Sequence, residues 1–425
     1  MFILALFPIV YAQTSALISV FYLDNFPVFI WEQNAYSFQN YSFIGLAFYY
    51  MILIGGCLLF WQAIHRLFPL PTTELQNSRQ KNLLESQWIR LGFIILSIFF
   101  VLFHCANLAS TGSPIVTGID RFTYWSEYTV LPLARTLWNQ SIIFSFGLGL
   151  IYSNVNSSRV HRNLSLYLQA FIVTINILYA DKFSWLIQLI FWFTLPTIAS
   201  YISANKIRLG KILNYRTLII ITIATSSLFA LFSSHYAEIA DRNSTTILSL
   251  IIDRIFTLQG HVWWGTFNAV FHDMSWRHGH IMTELYQLFS AQESIDTGMG
   301  FLMQLVGYPP VVNSYLDSGA SFTMAFPAII IYSLGPVAAI GGILILSCIT
   351  AAISSYLVRC TLSHRFISGL FALKLYFLAY MSLTMGDFSY LLGKTSATYT
   401  VGIIILEISS YILITNMNSK RINQN

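Results

Sequence analysis

Residues 271–286 read FHDMSWRHGHIMTELY, setting three histidines, an aspartate, an arginine and a glutamate in one short stretch. With His261 upstream, four of the nine histidines fall between 261 and 280, and Arg254 stands just ahead of them. These residue types can do three different things. Histidines and tryptophans at this density suit headgroup depth at a membrane interface, where amphipathic rings settle. His272, Asp273, His278 and His280 supply the donors of a metal site, yet neither an HExxH nor a cysteine-based spacing accompanies them. Arg254 and Arg277 supply guanidinium forks that match phosphate geometry. His278, His280 or Glu284 would then take a proton near neutral pH. Arginine beside imidazole favours the third use, a metal-independent site for an anionic substrate.

Periodicity indicates which elements would carry these residues. Residues 247–272, ILSLIIDRIFTLQGHVWWGTFNAVFH, contain no proline and have helical spacing. At about 100° per residue, Arg254, Leu258, His261, Gly265, Asn268 and His272 share one face. The stripe presents a cation, imidazoles and an amide, with Gly265 admitting close approach of a ligand or another helix. After a break around Asp273–Gly279, IMTELYQLFSA resumes helical spacing. Met282, Leu285, Tyr286 and Phe289 form its apolar stripe, and His280, Glu284 and Gln287 its polar one. The opening stretch is therefore expected at the corner between two helices, where free backbone N–H groups suit an anion. Two more arginines fit such a site: Arg121 in DRFTYW, and Arg135 in LPLARTLW, where the outer half of a span makes an arginine costly unless paired or functional.

The chain as a whole is 56% hydrophobic and 9% charged, more apolar than any soluble core requires. Ten runs are long enough to cross a bilayer: about 2–22, 42–64, 91–111, 128–151, 164–180, 183–203, 217–234, 335–358, 366–385 and 397–416. The first has no cleavage signature and reads as a retained helix. The linkers 65–90, 152–163, 204–216 and 359–365, with the C-terminal tail, hold 14 of the 22 Lys and Arg residues. With ten spans all of these lie on one side, the cytoplasm, together with both termini. The net charge of +5 is thus a topology signal, with no basic stripe for nucleic acid. Cys57, Cys105, Cys348 and Cys360 form no CxxC pair, which disfavours disulfides and zinc. Lys374 and Glu407 fall at equal depth in neighbouring spans and are expected to pair.

The expected fold is an all-α polytopic membrane protein of about ten transmembrane helices, residues 1–425 forming one integral membrane domain. One connection is out of proportion. Residues 235–334, between spans seven and eight, carry eight of the seventeen acidic residues. Their aromatics and apolar periodicity argue against disorder. The segment is expected to form short extracytoplasmic helices folded over the outer mouth of the bundle and to carry the site.

A polytopic chain with an outsized late loop rich in Arg and His resembles the bacterial O-antigen polymerases (Wzy-type), similar in organisation to O-antigen ligases and other metal-independent GT-C glycosyltransferases. Loops of that family have been described by an Arg, ten residues, then Gly; Arg254-IFTLQGHVWW-Gly265 matches this literally. The exit SFTMAFPAIIIYSLGPVAAIGG (321–342), a short helix ending at a Gly-Pro turn before the next span, also resembles the family. The family usually has more than ten spans, a departure here. The resemblance implies an enzyme of the bacterial inner membrane, active at the periplasmic face, using undecaprenyl-diphosphate-linked oligosaccharides as both donor and acceptor, with a chain-length regulator protein as a further partner. An acceptor hydroxyl would attack the donor's anomeric carbon and expel undecaprenyl diphosphate.

On that resemblance Arg254, Arg277, Arg135 and Arg121 would hold the pyrophosphate, and His278, His280 or Glu284 would be the base. His261, Gly265, Asn268, His272, Trp263 and Trp264 would line the substrate site, with Trp276 a further stacking face. No DxD or ExD occurs in an outer loop, the first of which offers only Asp24 and Glu32. This disfavours metal-dependent GT-C enzymes and leaves no cofactor expected. An O-antigen ligase shares the donor and is the nearest alternative. A transporter or flippase of lipid-linked sugar is the alternative from another class, although internal pseudo-symmetry is lacking.

Overall fold

The computed structural model describes residues 2–68, 87–119, 121–154, 157–181, 183–203, 256–277, 279–289, 296–317 and 321–422. Helix dominates. Sheet among the described residues is one two-stranded ladder, Phe29–Ile30 against Ala35–Tyr36, with Phe29 opposite Tyr36 and Ile30 opposite Ala35. Among the described residues, five helical segments are long and apolar enough to cross a membrane: Ser42–Leu67, Gln87–Thr117, Ala338–Leu362, Phe366–Met385 and Ser389–Ser409. The chain is an all-α membrane protein.

The runs expected at 2–22, 164–180 and 183–203 fall on the helices Phe7–Asn25, Arg159–Leu178 and Phe183–Ser203, the first preceded by the short helix Phe2–Ala5. The run at 217–234 lies outside the described residues. The run at 128–151 is not one helix. Leu133 has a φ of 64°, and Asn139 and Gln140 separate the helix Ala134–Trp138 from Ser141–Ser153. Pro132 accounts for the late start, because it cannot donate and restricts the residue before it. Arg135 is exposed, on this five-residue helix rather than within one continuous helix over 128–151.

Contacts divide the chain, expected as one domain, into two compact units. One comprises Pro71–Leu250 and Arg359–Leu370; the other comprises Phe2–Leu70, Ile251–Val358 and Phe371–Asn425. In the first, Ser141–Ser153 packs against Phe183–Ser203 so closely that a Cβ on Gly149 would overlap the Phe193 carbonyl. Polar groups also meet in its interior: His104 Nδ1 lies 2.9 Å from the Tyr179 hydroxyl, and Asn107 donates to Tyr124 and Tyr179, each at 3.2 Å.

The second unit holds the described part of the long connection, in the helices His261–Phe267, His280–Gln287, Gly298–Val306, Pro309–Asp317 and Ala328–Leu334. Its anchor is a knot around Asp24, beyond the end of the first apolar run. The carboxylate accepts from Ser42 Oγ (2.9 Å) and from the Phe43 N–H (2.8 Å), satisfying one of the unmatched amides at the start of Ser42–Leu67. Asn40 Oδ1 accepts from the Ser42 N–H at 3.0 Å. Trp263 Nε1 then donates to the Ser42 carbonyl (2.8 Å) and Trp264 Nε1 to the Phe38 carbonyl (3.2 Å). Rings complete the joint: a Cβ on Gly45 would meet Phe267 at 2.5 Å. Further along, the Tyr356 hydroxyl donates to Glu407 Oε1 at 2.5 Å, and Lys374 Nζ lies 5.9 Å from the Phe377 ring centre.

Removing the anchor leaves the Ser42 and Phe43 donors buried without their acceptor. Asp24→Ala should cost about 1–3 kcal/mol and lower the thermal midpoint of the detergent-solubilised protein; an unchanged midpoint would refute the anchoring role.

Candidate active site

The corner expected between two helices is present. His261–Phe267 continues into a π-helical turn, Asn268–His272, followed by irregular backbone over 273–277 and then the helix His280–Gln287. The Asp273 N–H bonds to the Asn268 carbonyl, and the Ser275 N–H and hydroxyl both bond to the Ala269 carbonyl, at 3.0 and 2.7 Å. Met274 has a φ of 52°. Arg254 and His278 lie outside the described residues.

The single helix expected over 247–272 is interrupted. The Gly260 and His261 N–H groups both bond to the Thr257 carbonyl, so 257–260 forms a turn. The cause is the helix Phe7–Asn25. Ser19 Oγ donates at 3.0 Å to the Phe256 and Thr257 carbonyls, and Gly260 lies so near that a Cβ would come within 2.6 Å of Val20. The wider π-helical turn shifts the phase again beyond Phe267. An unbroken stripe from Arg254 to His272 is therefore corrected to two short helical pieces.

Most residues of that stripe face protein. His261 is fully buried, its Nδ1 3.1 Å from the Leu258 carbonyl and its ring edge-on to Phe322 at 4.7 Å. A carbonyl only accepts, so Nδ1 carries the proton, and Nε2 has no partner among the described residues. Burial pushes this imidazole down to about 4, against the smaller opposing effect of its hydrogen bonds with Leu258 and Thr257. Trp263 and Trp264 are buried donors of the Asp24 knot rather than open stacking faces. At Gly265 an added Cβ would meet Gln33 Nε2 at 2.8 Å and Val306 at 2.9 Å, so the glycine serves packing within the protein. Asn268 is half-buried at the start of the π-helical turn, and exposed His272 lies 3.5 Å from the Asn40 carbonyl. The physical reason is that TLQGHVWWGTF carries apolar and aromatic groups on every side, as a helix enclosed by protein does.

One group of candidates does assemble. Buried Glu284 accepts with Oε1 from the Gly298 N–H (2.8 Å) and faces His280 Nε2 at 3.1 Å. Gly298 opens the helix Gly298–Val306, so the carboxylate sits at a helix N-terminus, where negative charge is favoured. Gly298 also has a φ of 53°, and a Cβ there would come within 3.1 Å of the Asp387 backbone. The His280 ring lies against Phe301, centroids 3.9 Å apart, and edge-on to Tyr332 at 5.7 Å. With Nε2 turned to the carboxylate, Nδ1 is the nitrogen left to exchange a proton. In the same turn the Arg277 carbonyl accepts from the His280 N–H (3.0 Å), and the Arg277 N–H donates to Tyr332 (3.1 Å). Arg277 itself is exposed. An exposed arginine and an imidazole held by a carboxylate thus share one turn, the residue types that an anionic substrate and a proton transfer would require.

The other two arginines belong to the first unit. Arg121 Nη1 lies 3.9 Å from Asp181 Oδ1, and Asp181 also accepts from Trp138 Nε1 at 2.9 Å, which gives Arg121 a structural partner. Among the described residues no three of His, Cys, Asp and Glu converge as metal ligands. Gly298, Phe301 and Tyr332, which hold Glu284 and His280, were not singled out from the sequence. They lie far along the chain, and only the Thr-Gly of SIDTGMGF hinted at a helix start.

Residues 292–400 match a family of unknown function (DUF6418), and this stretch includes Gly298, Phe301 and Tyr332. No curated protein and no solved structure matches the chain.

Because His261 binds its proton less well when folded than its ordinary value of 6.5, the unfolded chain holds more protons between about 6.5 and 4. Its contribution is complete above that window and is lost as pH falls through it, on the order of 3 kcal/mol in all. His261→Phe should flatten the fall in thermal midpoint between pH 6.5 and 4; an unaltered slope would show that His261 does not carry it.

Proposed function

We propose that this chain is a membrane glycosyltransferase that polymerises undecaprenyl-diphosphate-linked O-antigen repeat units at the periplasmic face of the bacterial inner membrane. The proposal takes the chain as ten spans with both termini in the cytoplasm, and it uses no metal. The observation that carries it is the hydrogen bond between His280 Nε2 and buried Glu284, in the turn where the His280 N–H meets the carbonyl of exposed Arg277.

The chemistry follows from that arrangement. A hydroxyl of the acceptor's terminal sugar attacks the anomeric carbon of the donor, and the bond from that carbon to the diphosphate oxygen breaks. Undecaprenyl diphosphate leaves with the electron pair. Arg277, with Arg254 of the same connection, meets the charge growing on the diphosphate. His280 Nδ1 takes the hydroxyl proton, and Glu284 stabilises the resulting imidazolium through Nε2. Glu284 is thereby assigned to positioning and His280 to proton transfer. Membrane lipid surrounds both substrates, and a chain-length regulator is the expected protein partner.

The test compares polysaccharide from a deletion strain complemented with variants that still reach the membrane. His280→Ala and Arg277→Ala should each abolish long chains, the former lowering the transfer rate by about 10²–10⁴. Glu284→Gln, which keeps an oxygen for the Gly298 N–H, should lower kcat more than it raises KM and should alter its pH profile. Normal ladders from both alanine variants would overturn the proposal. In the deletion strain itself, single repeat units still joined to core support a polymerase, whereas unattached long chains would reassign the chain as a ligase.

A further inference from the structure

The helix His280–Gln287 has two faces of opposite character. Glu284 and His280 are fastened inside the protein, to Gly298, Phe301 and Tyr332. About 200° around the helix from Glu284 lies Met282, and the stripe it begins is bare: Met282 is 69% exposed, Leu285 43%, Tyr286 76% and, in the turn that follows, Phe289 81%. Glu284 is the only charged residue from 281 to 289, and it points away from the stripe. A contiguous apolar stripe of this kind is unfavourable in water and marks a contact surface.

Its depth identifies the contact. The corner is tied to the ends of membrane-crossing helices at two places. Trp263 donates to the carbonyl of Ser42, the first residue of Ser42–Leu67. The Arg277 N–H bonds to Tyr332, whose helix Ala328–Leu334 turns at Gly335 and Pro336 into Ala338–Leu362. The Tyr49 hydroxyl, two turns into Ser42–Leu67, donates to the Pro336 carbonyl and links the two ends. A helix held at this level has the boundary between headgroups and acyl chains beside it. Methionine, leucine, tyrosine and phenylalanine are side chains suited to that boundary.

We propose that residues 280–289 form an interfacial helix that lies in the plane of the bilayer, with Met282, Leu285, Tyr286 and Phe289 dipping about 5–10 Å into lipid. The occupant of the apolar face is bilayer lipid. The inference is independent of glycosyl transfer, since it needs only the exposure of the stripe and its attachment to the span ends. It has one consequence for the site: the face carrying His280 and Glu284 is held at headgroup depth, within reach of a group carried on a lipid.

The experiment uses the full chain in nanodiscs of phosphatidylcholine and phosphatidylglycerol, with Cys57, Cys105, Cys348 and Cys360 replaced. A polarity-sensitive fluorophore is attached in turn to Met282→Cys, Thr283→Cys, Leu285→Cys, Tyr286→Cys and Phe289→Cys. Thr283, exposed but on the flank of the stripe, is the internal control. The four stripe positions should emit to the blue of Thr283 and be quenched several-fold more by lipids carrying a nitroxide near the top of the acyl chain than by aqueous iodide. Quenching from water equal to that at Thr283 would overturn the proposal, as would shielding from both quenchers, which would assign the stripe to a second copy or another protein. Should the labelled variants fail to fold, the unmodified chain is photolysed in nanodiscs doped with diazirine lipid. Adducts within 281–289 support the inference, and their absence with adducts on Ala338–Leu362 present refutes it.

Discussion

The buried carboxylate of Asp24 is the interaction on which the second unit is built. Taking a carboxylate out of water is unfavourable by several kcal/mol unless donors surround it. Burial accordingly raises its affinity for a proton, and the hydrogen bonds from Phe43 and Ser42 pull that affinity back. The donors exist because Ser42–Leu67 begins there, with its first amides unmatched. One acid thus resolves two deficits, its own and that of a helix start. It thereby fixes where the helix Phe7–Asn25 meets Ser42–Leu67, and the hairpin between them, Phe29–Ile30 with Ala35–Tyr36, folds over Trp264, which packs with Leu23 and Ile30.

The helix His261–Phe267 of the long connection takes its position from that joint. Trp263 and Trp264 donate into it, and Ser19 on the same first helix grips the Phe256 and Thr257 carbonyls. These contacts break the helical run at 257–260 and bury His261 with its Nδ1 proton on the Leu258 carbonyl. A histidine so placed stays neutral and contributes structure. The residues left exposed are consequently those beyond the π-helical turn, where the chain has left the enclosed helix, Arg277 among them.

Much of this was legible in the sequence, and the part that was not has a physical cause. The apolar runs, the corner near Asp273–Gly279, the two faces of 280–289 and the Gly-Pro turn before Ala338 all arise from local pattern, because apolar period and breakers act over a few residues. The break at Thr257–Gly260 was hidden because its cause, the Ser19 hydroxyl, lies in a different helix. The burial of His261 was hidden for a related reason: periodicity puts it beside Gly265 and His272 but says nothing of Phe322, which closes over its ring. Arg121 could not be matched to Asp181 from spacing, since that pair depends on tertiary packing within the first unit. Local pattern placed the corner, and distant partners decided which of its side chains stay open.

The division of labour between Glu284 and His280 follows from the same accounting of donors. Both stand with His278 as candidate bases when only their spacing is known. In the fold, Glu284 Oε1 already meets two nitrogens, the Gly298 amide and His280 Nε2, and its side chain is sealed from solvent. With both contacts made, Glu284 holds the imidazole in place, and Nδ1 is the ring nitrogen turned from the carboxylate. Glu284 resembles Asp24 in serving the start of a helix, with the difference that it also holds an imidazole, whose ring packs against Phe301 and Tyr332.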